Sequence, residues 1–169
     1  MNAEGNDRRS IEEILIDARA RLDRVDPADL ANEHAGGALI VDIRPAEQRS
    51  RDGALPWAVV IDRNVLEWRL DPACPHHIAQ AEDYDLRIVV VCNEGYQSSL
   101  AAAQLRAIGL HRSSDLIGGF QAWMTLTDGE QPERILAATV SANLFSLLGV
   151  EPALGRHFRE DEDRPGAPP

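Results

Sequence analysis

Ile88-Val89-Val90-Val91-Cys92-Asn93-Glu94-Gly95-Tyr96-Gln97-Ser98-Ser99-Leu100 is the stretch whose reading decides the fold. Four apolar β-formers run straight into a cysteine. A polar loop around Gly95 then leads into an alanine-rich helical pattern from Ser98 to Ile108. A continuous apolar run of this kind reads as a strand covered on both faces, as in parallel sheets. A cysteine at the carboxyl end of such a strand, facing a helix N-terminus, can be held as a thiolate by backbone N–H groups and the helix dipole. The competing role for Cys92 is that of a small buried hydrophobe, the common fate of a free cysteine. Its place where the strand stops favours the chemical role. So does Gly95, which lets several N–H groups turn inward as an anion nest.

Outward from this stretch, strands and helices alternate. Toward the N-terminus, Ala38 to Arg44 is a second apolar strand that ends in charge before Pro45. A polar helix, Ala46 to Asp52, stops at Gly53; Ala58 to Ile61 reads as a buried strand and Asn64 to Leu70 as a short helix. Cys74 to Asp85 has no clear period and reads as loop with a short helical piece. Earlier still, Ser10-Ile11-Glu12-Glu13 is a capping-box pattern, followed by Ile11, Ile14, Leu15, Ala18 and Leu22 at helical spacing. Asp26-Pro27 starts another helix, which ends before Gly36. Beyond Ile108, Asp115-Leu116-Ile117 is a brief strand, and Gly118-Gly119 turns into a helix bearing Phe120, Trp123 and Met124. The pattern predicts an α/β domain with a mostly parallel central sheet and helices on both faces. Ligands in such sheets sit outside the carboxyl ends of the strands, where Asp42, Arg44 and Cys92 all fall.

Composition narrows the function classes. The net charge of −11 over 169 residues is a poor match for nucleic acid, which calls for a basic stripe. All 17 basic residues are arginine, so Schiff-base chemistry and a phosphate-loop lysine are excluded. No apolar run approaches a membrane span, and Met1 to Arg9 lacks the apolar core of a signal peptide. With only Cys74 and Cys92 for a disulfide, a reduced, cytoplasmic setting is expected. Cys74-Pro75-His76-His77 resembles a ligand cluster but has no matching second half, so no metal and no cofactor are expected.

Four motifs in order carry a family resemblance. Cys92 to Ser98 has the form C-x-x-G-x-x-S between a strand and a helix, and resembles the active-site loop of the rhodanese family. Val41-Asp42-Ile43-Arg44 is similar to that family's strand ending in D-x-R. Gly53-Ala54-Leu55-Pro56-Trp57-Ala58 is an altered form of its G-H-I-P-G-A turn. Leu116 to Trp123 resembles its closing L-x-G-G-F-x-A-W pattern. The resemblance covers about Val25 to Thr127. It implies a rhodanese-like fold and a sulfurtransferase in which Cys92 carries sulfane sulfur as a persulfide. The sulfur would come from a thiosulfate- or persulfide-type donor and pass to a thiophilic acceptor, small molecule or protein.

By the same resemblance Asn93, Glu94, Gly95, Tyr96, Gln97 and Ser98 form the substrate-binding loop. Arg44 either faces the pocket and binds substrate or pairs with Asp42 as structural support; Arg63 and Arg69 are further candidates for positive charge. Two positions depart from the family pattern. Many active members are basic where Gln97 is neutral, and Glu94 adds a negative charge; both disfavour dianionic donors. A catalytically weak binding or regulatory module is the alternative. Cysteine phosphatases with C-x5-R are excluded, because Ser98 stands where the arginine would be.

The expected organisation is an N-terminal lead and helix over 1–24, a rhodanese-like domain over 25–131, and a tail over 132–169. Val140 to Pro168 resembles a fragment of the extracytoplasmic domain of macrolide-exporter-type ABC permeases, in its "V-S-x-x-F-x-x-L-G-V-x-P-x-L-G-R-x-F" run. That stretch reads as a short helix and a disordered end, a possible fusion remnant. Oligomeric state is not legible in the sequence.

Overall fold

In the computed structural model, which describes residues 8–127, the apolar runs become the strands of one parallel sheet. These are β1 (Leu39–Asp42), β2 (Val59–Val60), β3 (Ile88–Val91) and β4 (Ser113–Asp115), in the spatial order β2-β1-β3-β4. Asp42 lies opposite Val91 across β1 and β3, so both strands end at the same level. The helices are α1 (Ile11–Ala20), α2 (Leu30–Ala35), α3 (Ala46–Asp52), α4 (Leu66–Leu70), α5 (Gln97–Ala107) and α6 (Gly119–Thr127). Residues of the predicted lead and the whole predicted tail, with its helix and its permease-like stretch, lie outside the described residues.

Alternation along the strands sorts the core into two layers. Val41, Ile88 and Val90 meet Leu66, Leu70, Ala101 and Leu105 on one face. Ile40, Val89 and Val91 meet Leu30, Leu116 and Phe120 on the other. Helices therefore cover both faces, which is why the strands read as unbroken apolar runs.

The local signals act as expected at several helix ends. Ser10 and Glu13 form a reciprocal capping box at α1. Asp26 caps a 3-10 turn with Pro27 at its first position, ahead of α2. Gly53, at φ 93°, stops α3.

Three expectations need correction. β2 is not a buried strand: it is two residues long at the sheet edge, with Val60 exposed. β4 lies earlier than its apolar signal, because the paired residues are Ser113, Ser114 and Asp115, all buried. Leu116 follows it and bridges in parallel to Val25, which covers that edge of the sheet. Cys74 to Asp85 holds turns without a helical piece. Trp57 stands where the altered turn motif would carry glycine. It is held at φ 62°, is 53% exposed, and stacks on the His34 ring at 5.1 Å. Among the described residues no helix is long and apolar enough to cross a membrane.

Candidate active site

The four motifs separated in sequence meet at one place, and Arg44 joins three of them. Its guanidinium forks onto the Asp42 carboxylate at 2.8 to 3.1 Å and donates to the Gly53 carbonyl at 2.9 Å. Its carbon centre lies 3.5 Å from the centroid of the Phe120 ring. Arg44 is 1% exposed, as is Asp42. These contacts support the structural reading of Arg44, while Arg44 also lines the pocket beside Cys92 and its Nη1 is buried with no hydrogen-bond partner among the described residues. Its charge is neutralised by Asp42 and covered by an aromatic face, so it ties strand end, turn and α6 together.

The fourth motif, the cysteine loop, is clamped from α6. The Phe120 N–H donates to the Cys92 carbonyl at 2.9 Å and the Gln121 N–H to the Asn93 carbonyl at 3.0 Å. The Gln121 side-chain amide donates to Asn93 Oδ1 at 3.1 Å and to Asp52 at 3.2 Å. Contact is close enough to exclude side chains. A Cβ on Gly119 would meet the Cys92 carbonyl oxygen at 2.5 Å, and one on Gly95 the Gly118 nitrogen at 2.8 Å. Gly118-Gly119 therefore does more than turn the chain: it lets the α6 start lie directly on the loop.

Inside the loop Cys92 is 8% exposed, and its sulfur is held by the backbone around it. It accepts from the Gly95 N–H at 3.2 Å and the Ser98 N–H at 3.4 Å, and lies 3.2 Å from the Ser98 hydroxyl. Helix α5 starts after Tyr96, which makes no side-chain cap. Helix N-termini leave N–H groups without intrahelical partners, and the sulfur takes one of them. An anion on this sulfur has two fixed amide donors and the positive end of an eleven-residue helix.

The remaining loop positions face outward. Cys92, Asn93, Glu94, Tyr96 and Gln97 line a pocket of about 380 Å³, together with Arg63 and the β1 end. Gly95 and Ser98 are buried beneath it; Glu94, Tyr96 and Gln97 are exposed. The Glu94 charge therefore stands in solvent, where it is strongly screened from the sulfur. Two guanidinium groups line this pocket: Arg44, paired with Asp42, and Arg63, whose Nη1 donates to both Glu67 oxygens at 2.9 and 3.0 Å. Arg69 donates instead to the His76 carbonyl at 2.6 Å. Cys74, His76 and His77 sit in a turn closed by His77 Nδ1 against the Cys74 carbonyl.

Sequence reasoning missed several contributors. Arg19 of α1 donates to the Gly95 carbonyl at 2.9 Å and lies over the Tyr96 ring. Asp115, fully buried at the end of β4, accepts from Ser99 at 2.6 Å and from Arg24 at 2.8 and 3.0 Å. Gln121 bridges Asn93 and Asp52. The sequence signal available for Asp115 was a carboxylate at a strand end; nothing local pointed to Arg19 or Gln121.

A rhodanese-like domain family model matches residues 26–126. Over 112 residues the chain is 30% identical to the adenylyltransferase and sulfurtransferase UBA4 of Candida albicans, covering 65% of this chain and 25% of that protein. The adenylyltransferase and sulfurtransferase MOCS3 of Drosophila persimilis is 31% identical over 100 residues, 56% of this chain and 20% of that one. The chain thus spans a quarter or less of these curated relatives.

Among solved structures, a Rhodopseudomonas palustris protein of unknown function, described as a possible tyrosine phosphatase, superposes with a TM-score of 0.63. Its identity is 31%, covering 70% of this chain and 91% of that one. The human single-domain sulfurtransferase shares the fold at a TM-score of 0.50 and 23% identity, over 60% of this chain and 95% of that chain.

Proposed function

This chain belongs to the rhodanese-like domain family, and from that premise we propose that it is a sulfurtransferase carrying sulfane sulfur on Cys92. The observation that carries the reading is the sulfur's setting. It sits at the floor of an open pocket with two backbone N–H groups directed at it and the Ser98 hydroxyl oxygen 3.2 Å away. In the first half-reaction the Cys92 thiolate attacks the outer sulfur of the donor. A new S–S bond forms, the donor's own bond to that sulfur breaks, and the donor leaves with the electron pair. In the second, an acceptor thiolate takes the terminal sulfur and Cys92 leaves as thiolate again. The Gly95 and Ser98 amides stabilise the anionic forms of the sulfur on both sides of the exchange.

The pocket favours a donor of low charge. Its two guanidinium groups, Arg44 and Arg63, are each already paired with a carboxylate, Asp42 and Glu67, and Gln97 contributes no charge. A dianion such as thiosulfate lacks a free cation here, whereas a persulfide at the end of a small thiol or a protein tail fits. Residues 132–169 we take as dispensable: deleting Ala137 to Pro169 leaves sulfur uptake unchanged.

Intact-protein mass spectrometry after exposure to glutathione persulfide, and separately to thiosulfate, tests the assignment. Gain of one sulfur atom, faster from the persulfide, removed by cyanide and absent in Cys92→Ser, is expected. Absence of an adduct from either donor overturns the assignment.

A further inference from the structure

Beneath the reactive cysteine lies a buried carboxylate that sulfur transfer itself does not use. Asp115 is fully buried at the end of β4. Arg24 grips both of its oxygens, through Nε at 2.8 Å and a terminal nitrogen at 3.0 Å. Ser99 donates to Oδ2 at 2.6 Å. The same Oδ2 lies 3.5 Å from the Ser98 hydroxyl, whose oxygen is 3.2 Å from the Cys92 sulfur. Ser99 also reaches the Gly95 carbonyl at 3.0 Å, but Arg19 already donates to that carbonyl at 2.9 Å. The contact to the charged carboxylate is the shorter of the two, so the Ser99 hydrogen goes to Asp115.

A hydroxyl has one hydrogen, and Ser98 has two acceptors to choose between. With Cys92 as a thiol, the S–H donates to Ser98 Oγ and the Ser98 O–H turns to Asp115. With a thiolate or an anionic persulfide, the Ser98 hydrogen turns to sulfur. The contact to the carboxylate is the longer of the two, so a charged sulfur wins it. How strongly Asp115 competes depends on how completely Arg24 and Ser99 already satisfy it.

We propose that Asp115 is a positioning residue that competes with the Cys92 sulfur for the Ser98 hydrogen, with Arg24 setting the strength of that competition. The proposal rests on Cys92 being the nucleophile. Of the other charged groups around the site, Arg44 is held by Asp42 and Arg63 by Glu67, and Glu94 is exposed; Arg19 donates to the Gly95 carbonyl and, from Nε at 3.3 Å, to the Ser99 hydroxyl oxygen. The Arg24–Asp115 pair is the one that reaches the sulfur through a hydroxyl.

Alkylation of Cys92 by iodoacetamide, followed by peptide mass across a pH series, reads the thiol without any sulfur donor. Failure of persulfide formation would therefore not be confused with failure here. Arg24→Gln frees the carboxylate to hold Ser98; alkylation near neutral pH slows about tenfold and the pH curve moves up. Asp115→Asn weakens the competitor, and the curve moves down. In a Ser98→Ala background Arg24→Gln changes the rate by less than about twofold, and Ser98→Thr restores its effect. Loss of packing alone would slow both charge variants alike. Displacement of both curves in one direction, or a full Arg24→Gln effect without the Ser98 hydroxyl, overturns the proposal. Should Asp115→Asn fail to fold, the Arg24→Gln comparison across Ala and Thr at position 98 decides it alone.

Discussion

The carboxyl ends of β1 and β3 lie side by side at the same level, and they are chemical opposites. At the end of β1, Asp42 and Arg44 are buried and paired with each other, with the Gly53 carbonyl and the Phe120 ring against the guanidinium. At the end of β3, the Cys92 sulfur has donors beneath it and a pocket above it. One strand end has spent its polar groups on holding the fold; the other keeps an acceptor free for chemistry. A charged residue at a strand end is thus not by itself a site. What separates the two is whether an opposite charge within the protein already holds the group.

The contrast breaks most visibly at Arg44. Arg44→Ala leaves the Asp42 carboxylate buried without its partner and is expected to cost about 3–5 kcal/mol in urea unfolding. Gly95→Ala strikes the other strand end. Its φ of 76° and the 2.8 Å approach of the Gly118 nitrogen force the loop open. The expected stability cost is about 2 kcal/mol. The Gly95 amide then leaves the sulfur, and single-turnover sulfur uptake falls by at least about tenfold. Gln121→Ala releases the Asn93 side chain; about 1 kcal/mol and a severalfold drop in uptake are expected.

The smallest effect is electrostatic and lies far from both strand ends. Hydrogen bonding from Arg87 holds the Glu33 carboxyl below its ordinary value of 4.5. Folding therefore favours the charged form. Its contribution is present above that ordinary value and is lost as pH falls through the lowered folded value. Glu33→Gln should lower the melting temperature slightly at neutral pH, with the difference closing in acid. A difference that persists unchanged at acid pH would contradict the pairing.

Much of this was legible in the chain, for a physical reason. Strand β3, the α3 boundaries and the capping box at Ser10 are set by local signals: apolar runs, Gly53 and a reciprocal side-chain cap. The family motifs also placed Cys92 and its loop in the right order. Other features depend on contacts far apart in sequence. β4 was misplaced because Ser113, Ser114 and Asp115 are polar yet buried, Ser114 being satisfied by the Asp23 carbonyl and Asp115 by Arg24. Arg44 both pairs with Asp42 and lines the pocket, an outcome that depends on the distant Phe120 ring and Gly53 carbonyl. The closeness of Gly119 to the Cys92 carbonyl has no local signature at all.

If the cradle, and not exposure, makes a cysteine the sulfur carrier, the two cysteines of this chain must differ. The chain supplies its own control, since Cys74 is partly exposed in a turn while Cys92 is buried. The direct measurement is peptide-level mass spectrometry of the native protein after a single, limiting addition of glutathione persulfide. Cyanide-labile sulfur is expected on the peptide containing Cys92, with little on that containing Cys74. Sulfur found first on Cys74, or shared equally between the two, would contradict it.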